Sequence, residues 1–147
     1  MKQSLMVLGA GALAVIAAAG VLQAQKAATA HKKVIYVSSS SAEFKPGPTK
    51  GVTRATVWGD ADKGAHGTFS KMEPGFDAGW HTHTNDVSIT VIKGAYLYKD
   101  DEGEKRVGAG DFLRVPGGHK HWSGADKTEG ALFYEEGPAK FDLIPAN

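Results

Sequence analysis

The chain has 147 residues, 17 basic and 16 acidic side chains, a net charge of +1 at neutral pH and no cysteine. That length fits one domain. Near-balanced charge with no Lys/Arg run argues against nucleic acid as a partner, and the missing thiols exclude disulfides, thiolate metal sites and cysteine nucleophiles.

Residues 1–24 read as a signal peptide. Lys2 supplies a short positive start, and Leu5 to Leu22 holds only apolar residues and glycine. Small-residue cleavage patterns end at Ala24 and again at Ala30. Cleavage implies a secreted or periplasmic protein with no stable membrane span afterwards, and a folded domain over 31–147. An uncleaved N-terminal anchor is the alternative.

Val34-Ile35-Tyr36-Val37 is rich enough in β-branched residues for a first strand. Ser38 to Ser41 and Lys45-Pro46-Gly47-Pro48 read as loop. Val52 to Trp58 is a strand, Gly59 to Gly64 a turn, and Gly67 to Glu73 a strand with Phe69 or its neighbours inward. Pro74-Gly75 closes it. Trp80 to His83 follows, then a loop at Thr84 to Asp86 and a strand Val87 to Ile92 closed by Gly94. Ala95 to Lys99 reads as a separate strand, Asp100 to Glu104 as an acidic hairpin turn, and Val107 to Asp111 as a turn into Phe112 to Val115. Pro116-Gly117-Gly118 leads into His119 to Trp122, and Ala131 to Glu135 and Phe141 to Ile144 complete the chain. No segment after Ala30 holds an apolar period of 3.6. Short strands at near-regular spacing predict an all-β fold, either a β-sandwich or a double-sheet jelly roll.

Four of the six histidines fall in two short pieces, His81-Thr82-His83 and His119-Lys120-His121. Residues i and i+2 of a strand share a face, so His81 and His83 can aim at one point. Imidazole is the commonest side-chain metal ligand. The two pieces predict a metal site built from separated strands.

The spacing around them resembles the cupin superfamily. Its first motif is matched by Gly75, five residues, His81-Thr82-His83, and a closing Gly94. Its second is matched by Gly110, Pro116, Gly118 and His121. A looser resemblance, in Ala55 to Asp60 and Lys140 to Pro145, is to uncharacterised cupins related to the cupin half of zinc-binding anti-sigma factors. The resemblance implies a jelly-roll barrel (double-stranded β-helix) with a divalent transition metal, zinc or iron, held by His81, His83 and His121. It also implies a homodimer, whose edge the Val34 to Val37 strand could cover. One departure stands out: the family's glutamate position is Val87, with Asp86 adjacent but on the opposite face. The second motif's trailing polar position is Ala125.

Neutral nitrogen ligands suit zinc, copper, iron or nickel rather than calcium or magnesium. Three histidines without a fourth protein ligand leave an open coordination position, as in catalytic zinc sites. The expected function is an exported metal-binding cupin acting on a small-molecule substrate, an oxygenase, isomerase or hydrolytic enzyme. The alternative is a non-catalytic metal- or ligand-binding, sensing domain.

Around that centre, His119 shares the strand parity of His121 and is a candidate for the same cavity. Asp77 and Asp86 are candidates for proton transfer or for turn capping. Trp80 and Trp122 should pack on the outer layer, and Tyr96, Tyr98 and Tyr134 in the core. Glu135-Glu136 reads as a solvated strand end, and His31 and His66 have no supporting context.

Overall fold

The computed structural model describes residues 33–146. The expected signal segment, over 1–24 or extending to Ala30, lies outside them, as does His31. Among the described residues there is no helix, and none long and apolar enough to cross a membrane.

The unit formed by residues 35–147 carries ten strands: β1 (Lys45–Pro46), β2 (Val52–Gly59), β3 (His66–Met72), β4 (Asp77–Thr82), β5 (Val87–Asp100), β6 (Gly103–Gly108), β7 (Phe112–Val115), β8 (His121–Ala125), β9 (Ala131–Gly137) and β10 (Ile144–Pro145). All pairings are antiparallel, in the order β1-β2-β3-β9-β5-β8-β4-β10, with β6 and β7 also pairing with β5. The all-β expectation holds, and the curled antiparallel sheet is that of a jelly roll.

The strand β5 organises the barrel. Its first half, from Val87, pairs with β7 and β9; its second half, to Asp100, pairs with β6 and β8. Sequence reading split this segment into two strands at Gly94. The chain instead runs through, because a bulge between Val91 and Lys93 absorbs one residue and Gly94 takes φ +71°. The bulge also explains the side-chain pattern. Val87, Ile89 and Val91 are buried before it, and Tyr96 and Tyr98 after it, so the inward parity changes from odd to even. Without the extra residue, one half of β5 would turn its apolar side chains to solvent. These residues pack with Val107, Val115, Ala125, Ala131 and Phe133 as the core.

Other expectations need correction. Val34 to Val37 forms no strand; Val34 is 96% and Tyr36 87% exposed, and no strand pairs with this segment among the described residues. Without a partner ladder, β-branched propensity does not suffice. Val107, read as part of a turn, lies in β6, whose pairing with β5 begins at Gly103. Lys45–Pro46, read as loop, pairs with β2. In β3 the expectation of Phe69 or its neighbours inward holds for the neighbours, Thr68 and Ser70. Finally, Phe141 precedes the short β10 rather than joining it.

Candidate metal centre

Strands β4 and β8 lie side by side with His81 opposite His121 and Trp80 opposite Trp122. Alternation along both strands puts the histidines inside and the tryptophans on the outer face. His83 follows at the end of β4. All three imidazoles are buried, His81 at 1%, His83 at 6% and His121 at 0% exposure. Each offers one ring nitrogen, and the three nitrogens lie within 4.8 Å of one another. Tyr98 of β5 stacks on His121, with ring centroids 5.4 Å apart and planes tilted 20°.

Hydrogen bonds decide which nitrogen each ring presents. His81 Nδ1 faces Gly79 O at 2.9 Å, His83 Nδ1 faces Asp142 O at 2.5 Å, and His121 Nδ1 faces His119 O at 3.0 Å. A carbonyl oxygen only accepts, so Nδ1 carries the hydrogen in every ring and donates it. The three Nε2 atoms keep their lone pairs. His121 Nε2 is buried with no hydrogen-bond partner, an arrangement that is unfavourable unless something else engages it. A donor set of three neutral imidazoles with Nδ1–H tied to carbonyls is what a divalent transition metal requires. The residues present therefore fit such an ion.

Burial holds all three imidazoles below their ordinary pKa of 6.5, His121 at about 4, against the opposing pull of their carbonyl partners. An unfolded chain takes up protons near pH 6.5, whereas the folded, metal-free protein resists protonation until lower pH. Folding is then fully supported above pH 6.5 and weakens as pH falls toward 4. Denaturant titrations in the presence of chelator are expected to show this loss across that window. A flat stability profile there would mean that the rings protonate freely in the fold.

The remaining sequence candidates have other duties. Asp86 accepts from the Arg114 guanidinium and from Gly117 N–H at 2.9 Å, so it clamps the turn after β7. Asp77 accepts from Gly79 N–H at 2.7 Å and Trp122 Nε1–H at 2.8 Å. The His119 side chain turns outward to Asp100 Oδ2 at 3.1 Å, where the Tyr98 hydroxyl also donates at 2.8 Å. These two partners, the Tyr98 hydroxyl foremost, hold the Asp100 carboxyl at about 2. His119 thus meets the site through its carbonyl and not its ring. Val87 is buried and lines the cavity.

The cavity beside the triad has a free volume of about 40 Å³, room for roughly three water molecules. Apolar walls come from Val52, Met72, Phe76, Ile89 and Phe133. Glu135 lines it too, only 4% exposed, which corrects its reading as a solvated strand end. Ala131, Phe133 and Glu135 share one face of β9, and that parity was the available signal. His66, without context in the sequence, is 1% exposed. Its Nδ1 lies 3.0 Å from both Gly64 O and Ala139 O. Arg54 reaches the same cavity from β2.

Residues 32–140 match the ChrR cupin-like domain family. The chain belongs to that family. This bears out the cupin resemblance read from the two histidine motifs. No curated protein matches the chain. Several solved cupin-like structures do. The polyketide cyclase RemF from Streptomyces resistomycificus aligns with a TM-score of 0.65 at 18% identity, over 78% of this chain and 87% of that one. An RmlC-like cupin from Shewanella frigidimarina aligns at 0.57 and 20% identity, over 73% and 93%. A sugar phosphate isomerase from a cupin superfamily, from Silicibacter pomeroyi, aligns at 0.53 and 22% identity, over 70% and 74%. At these identities the likeness is one of fold, and the chemistry of this cupin must be argued from its own residues.

Proposed function

We propose that this cupin is an exported metal-binding protein whose three-histidine centre acts on a small molecule admitted to the barrel. The observation carrying this reading is the shared tautomer. Three buried rings are tied at Nδ1 to carbonyls, so three Nε2 lone pairs are free to meet at one ion. When bound, zinc supplies Lewis acidity, and ferrous iron supplies chemistry with dioxygen. The protein's own part is to orient the imidazoles through Gly79, His119 and Asp142, and to exclude water with the apolar walls. Because Val87 replaces the family's glutamate, no fourth protein ligand is assigned, and coordination positions stay open for an exogenous oxygen.

A second reading is favoured by the small size of the cavity. A free volume near 40 Å³ suits a protein that holds a metal or a few-atom ligand without turning it over. Ligands would then raise the melting temperature and emerge unchanged.

Intact-mass and elemental analysis of protein recovered from the exported fraction tests the metal and the export together. Wild-type protein is expected to start at Gln25 or His31 and to carry about one equivalent of zinc or iron. His81→Ala should carry essentially none. Absence of the protein from the exported fraction would overturn the export reading, retention of Met1 would replace the cleaved signal by an uncleaved anchor, and equal metal in both proteins would overturn the metal reading.

A further inference from the structure

Around Phe141 lies a second polar cluster. The Phe141 ring centroid is 5.2 Å from that of His83 and 4.1 Å from the Arg54 guanidinium carbon. Glu135 Oε1 is 3.7 Å from Arg54 Nη2 and 3.9 Å from His66 Nε2. The Glu135 and His66 side chains are 6% and 1% exposed. None of these separations is a hydrogen bond. Arg54 Nε, His66 Nε2 and Glu135 Oε1 are all buried without a partner. Leaving three such atoms unsatisfied is costly, and the charged contacts of Glu135, at 3.7 and 3.9 Å, are too long to satisfy them directly.

The chemistry of the cluster is specific. Arg54 Nε–H is a donor. His66 gives its Nδ1 hydrogen to the Gly64 and Ala139 carbonyls, so its Nε2 is an acceptor. Glu135 Oε1 as a carboxylate is an acceptor. A carboxylate or phosphate ligand would face two acceptors with nothing to donate, and a cation would face Arg54. A hydroxyl both accepts and donates at one atom. Position supports the assignment: Arg54 and Glu135 line the same cavity as His81 and His83. Gly137 makes room for the imidazole, since a Cβ there would come within 3.1 Å of His66 Cε1.

We infer that Arg54 and Glu135, bordered by His66, form a hydroxyl-binding subsite, which takes the O–H of a small alcohol or enol. The ligand oxygen accepts from Arg54 Nε–H, and its hydrogen points to Glu135. In a proton transfer there, the ligand O–H bond breaks and a new O–H bond forms on the Glu135 carboxylate. The electron pair remains on the ligand oxygen beside the Arg54 guanidinium, and reversal returns the proton. Burial pushes the Glu135 carboxyl above its usual range, while Arg54 and His66 pull it back, so Glu135 is suited to exchange a proton. The role in turnover rests on the metal reading above; the binding of a hydroxyl does not.

Methanol and fluoromethane, near-isosteres of which only the first carries a hydroxyl hydrogen, are small enough for the cavity. Each isotopically labelled at carbon, titrated separately into the purified protein and followed by carbon NMR, they test the subsite. The alcohol is expected to bind about tenfold more tightly than the fluoride, as loss of a charge-assisted hydrogen bond implies. Glu135→Gln and Arg54→Met should each weaken the alcohol about tenfold and leave metal content unchanged. Equal affinity for alcohol and fluoride on the wild type, or an unchanged alcohol affinity in Glu135→Gln, would overturn the inference. The wild-type ratio decides even where a variant does not fold. Wild-type protein that takes up neither zinc nor iron yet prefers the alcohol would sink the metal reading and leave the subsite standing. A metal-loaded protein with no preference would do the reverse.

Discussion

His121→Ala is expected to lose metal binding by more than about 100-fold, because weakening a mere supporting partner of a ligand already costs about 10–100-fold. His121 is the most enclosed of the three rings, and its Nε2 has no alternative partner. The consequence should be visible without any substrate. A site filled at about 100 times its dissociation constant adds about 2.7 kcal/mol to stability, on the order of 10 °C in Tm for a domain of this size. Chelator should therefore lower the Tm of the wild type by about that amount and leave the Tm of His121→Ala where it was. If chelator shifts both proteins equally, the stabilising ion sits elsewhere. His119→Ala is the useful contrast, because the carbonyl that holds His121 survives the substitution.

Gly94→Ala should be the most damaging of the motif glycine substitutions, by about 3 kcal/mol, within the range of strained backbone plus steric conflict. Two effects combine. Gly94 has φ +71°, and a Cβ there would stand 2.2 Å from the Gly130 carbonyl oxygen, on a neighbouring backbone that cannot swing aside. Gly118 has a similar φ of +76° with nothing within 4 Å of its would-be Cβ. Gly118→Ala should then cost only the conformational term, about 1 kcal/mol. Denaturant unfolding of the two variants separates the terms. Equal losses would mean that the approach to Gly130 contributes nothing. A loss near 3 kcal/mol matters because a domain's whole stability is only about 5–15 kcal/mol.

The triad was legible because its information is local. His81 and His83 share a face by alternation, and the glycine and proline spacings before His121 set where β8 begins. The turns around Pro74-Gly75 and Pro116-Gly117-Gly118 were legible for the same reason, since backbone preference there does not wait for tertiary contacts. Continuity of β5 was not. Gly94 just after a bulge looks, one residue at a time, like Gly94 in a turn, and only the pairing with β9 distinguishes them. Val34 to Val37 failed for the opposite reason, a strong local preference with no neighbour to satisfy it. Glu135 was misread because two adjacent acids suggest solvent, although Phe133 two residues earlier already marked the inward face. Arg54, His66 and Phe141 meet only through pairings and loops far apart in the chain, and nothing local announces them.

The imidazoles are oriented by the peptide oxygens of residues 79, 119 and 142. Main-chain atoms persist through every side-chain exchange. A saturation screen of this gene would therefore return three indispensable histidines with no apparent helpers, and would underrate how much of the centre is built from plain polypeptide. Amide-to-ester replacement, or trimming the chain before Asp142, would reach what such a screen cannot.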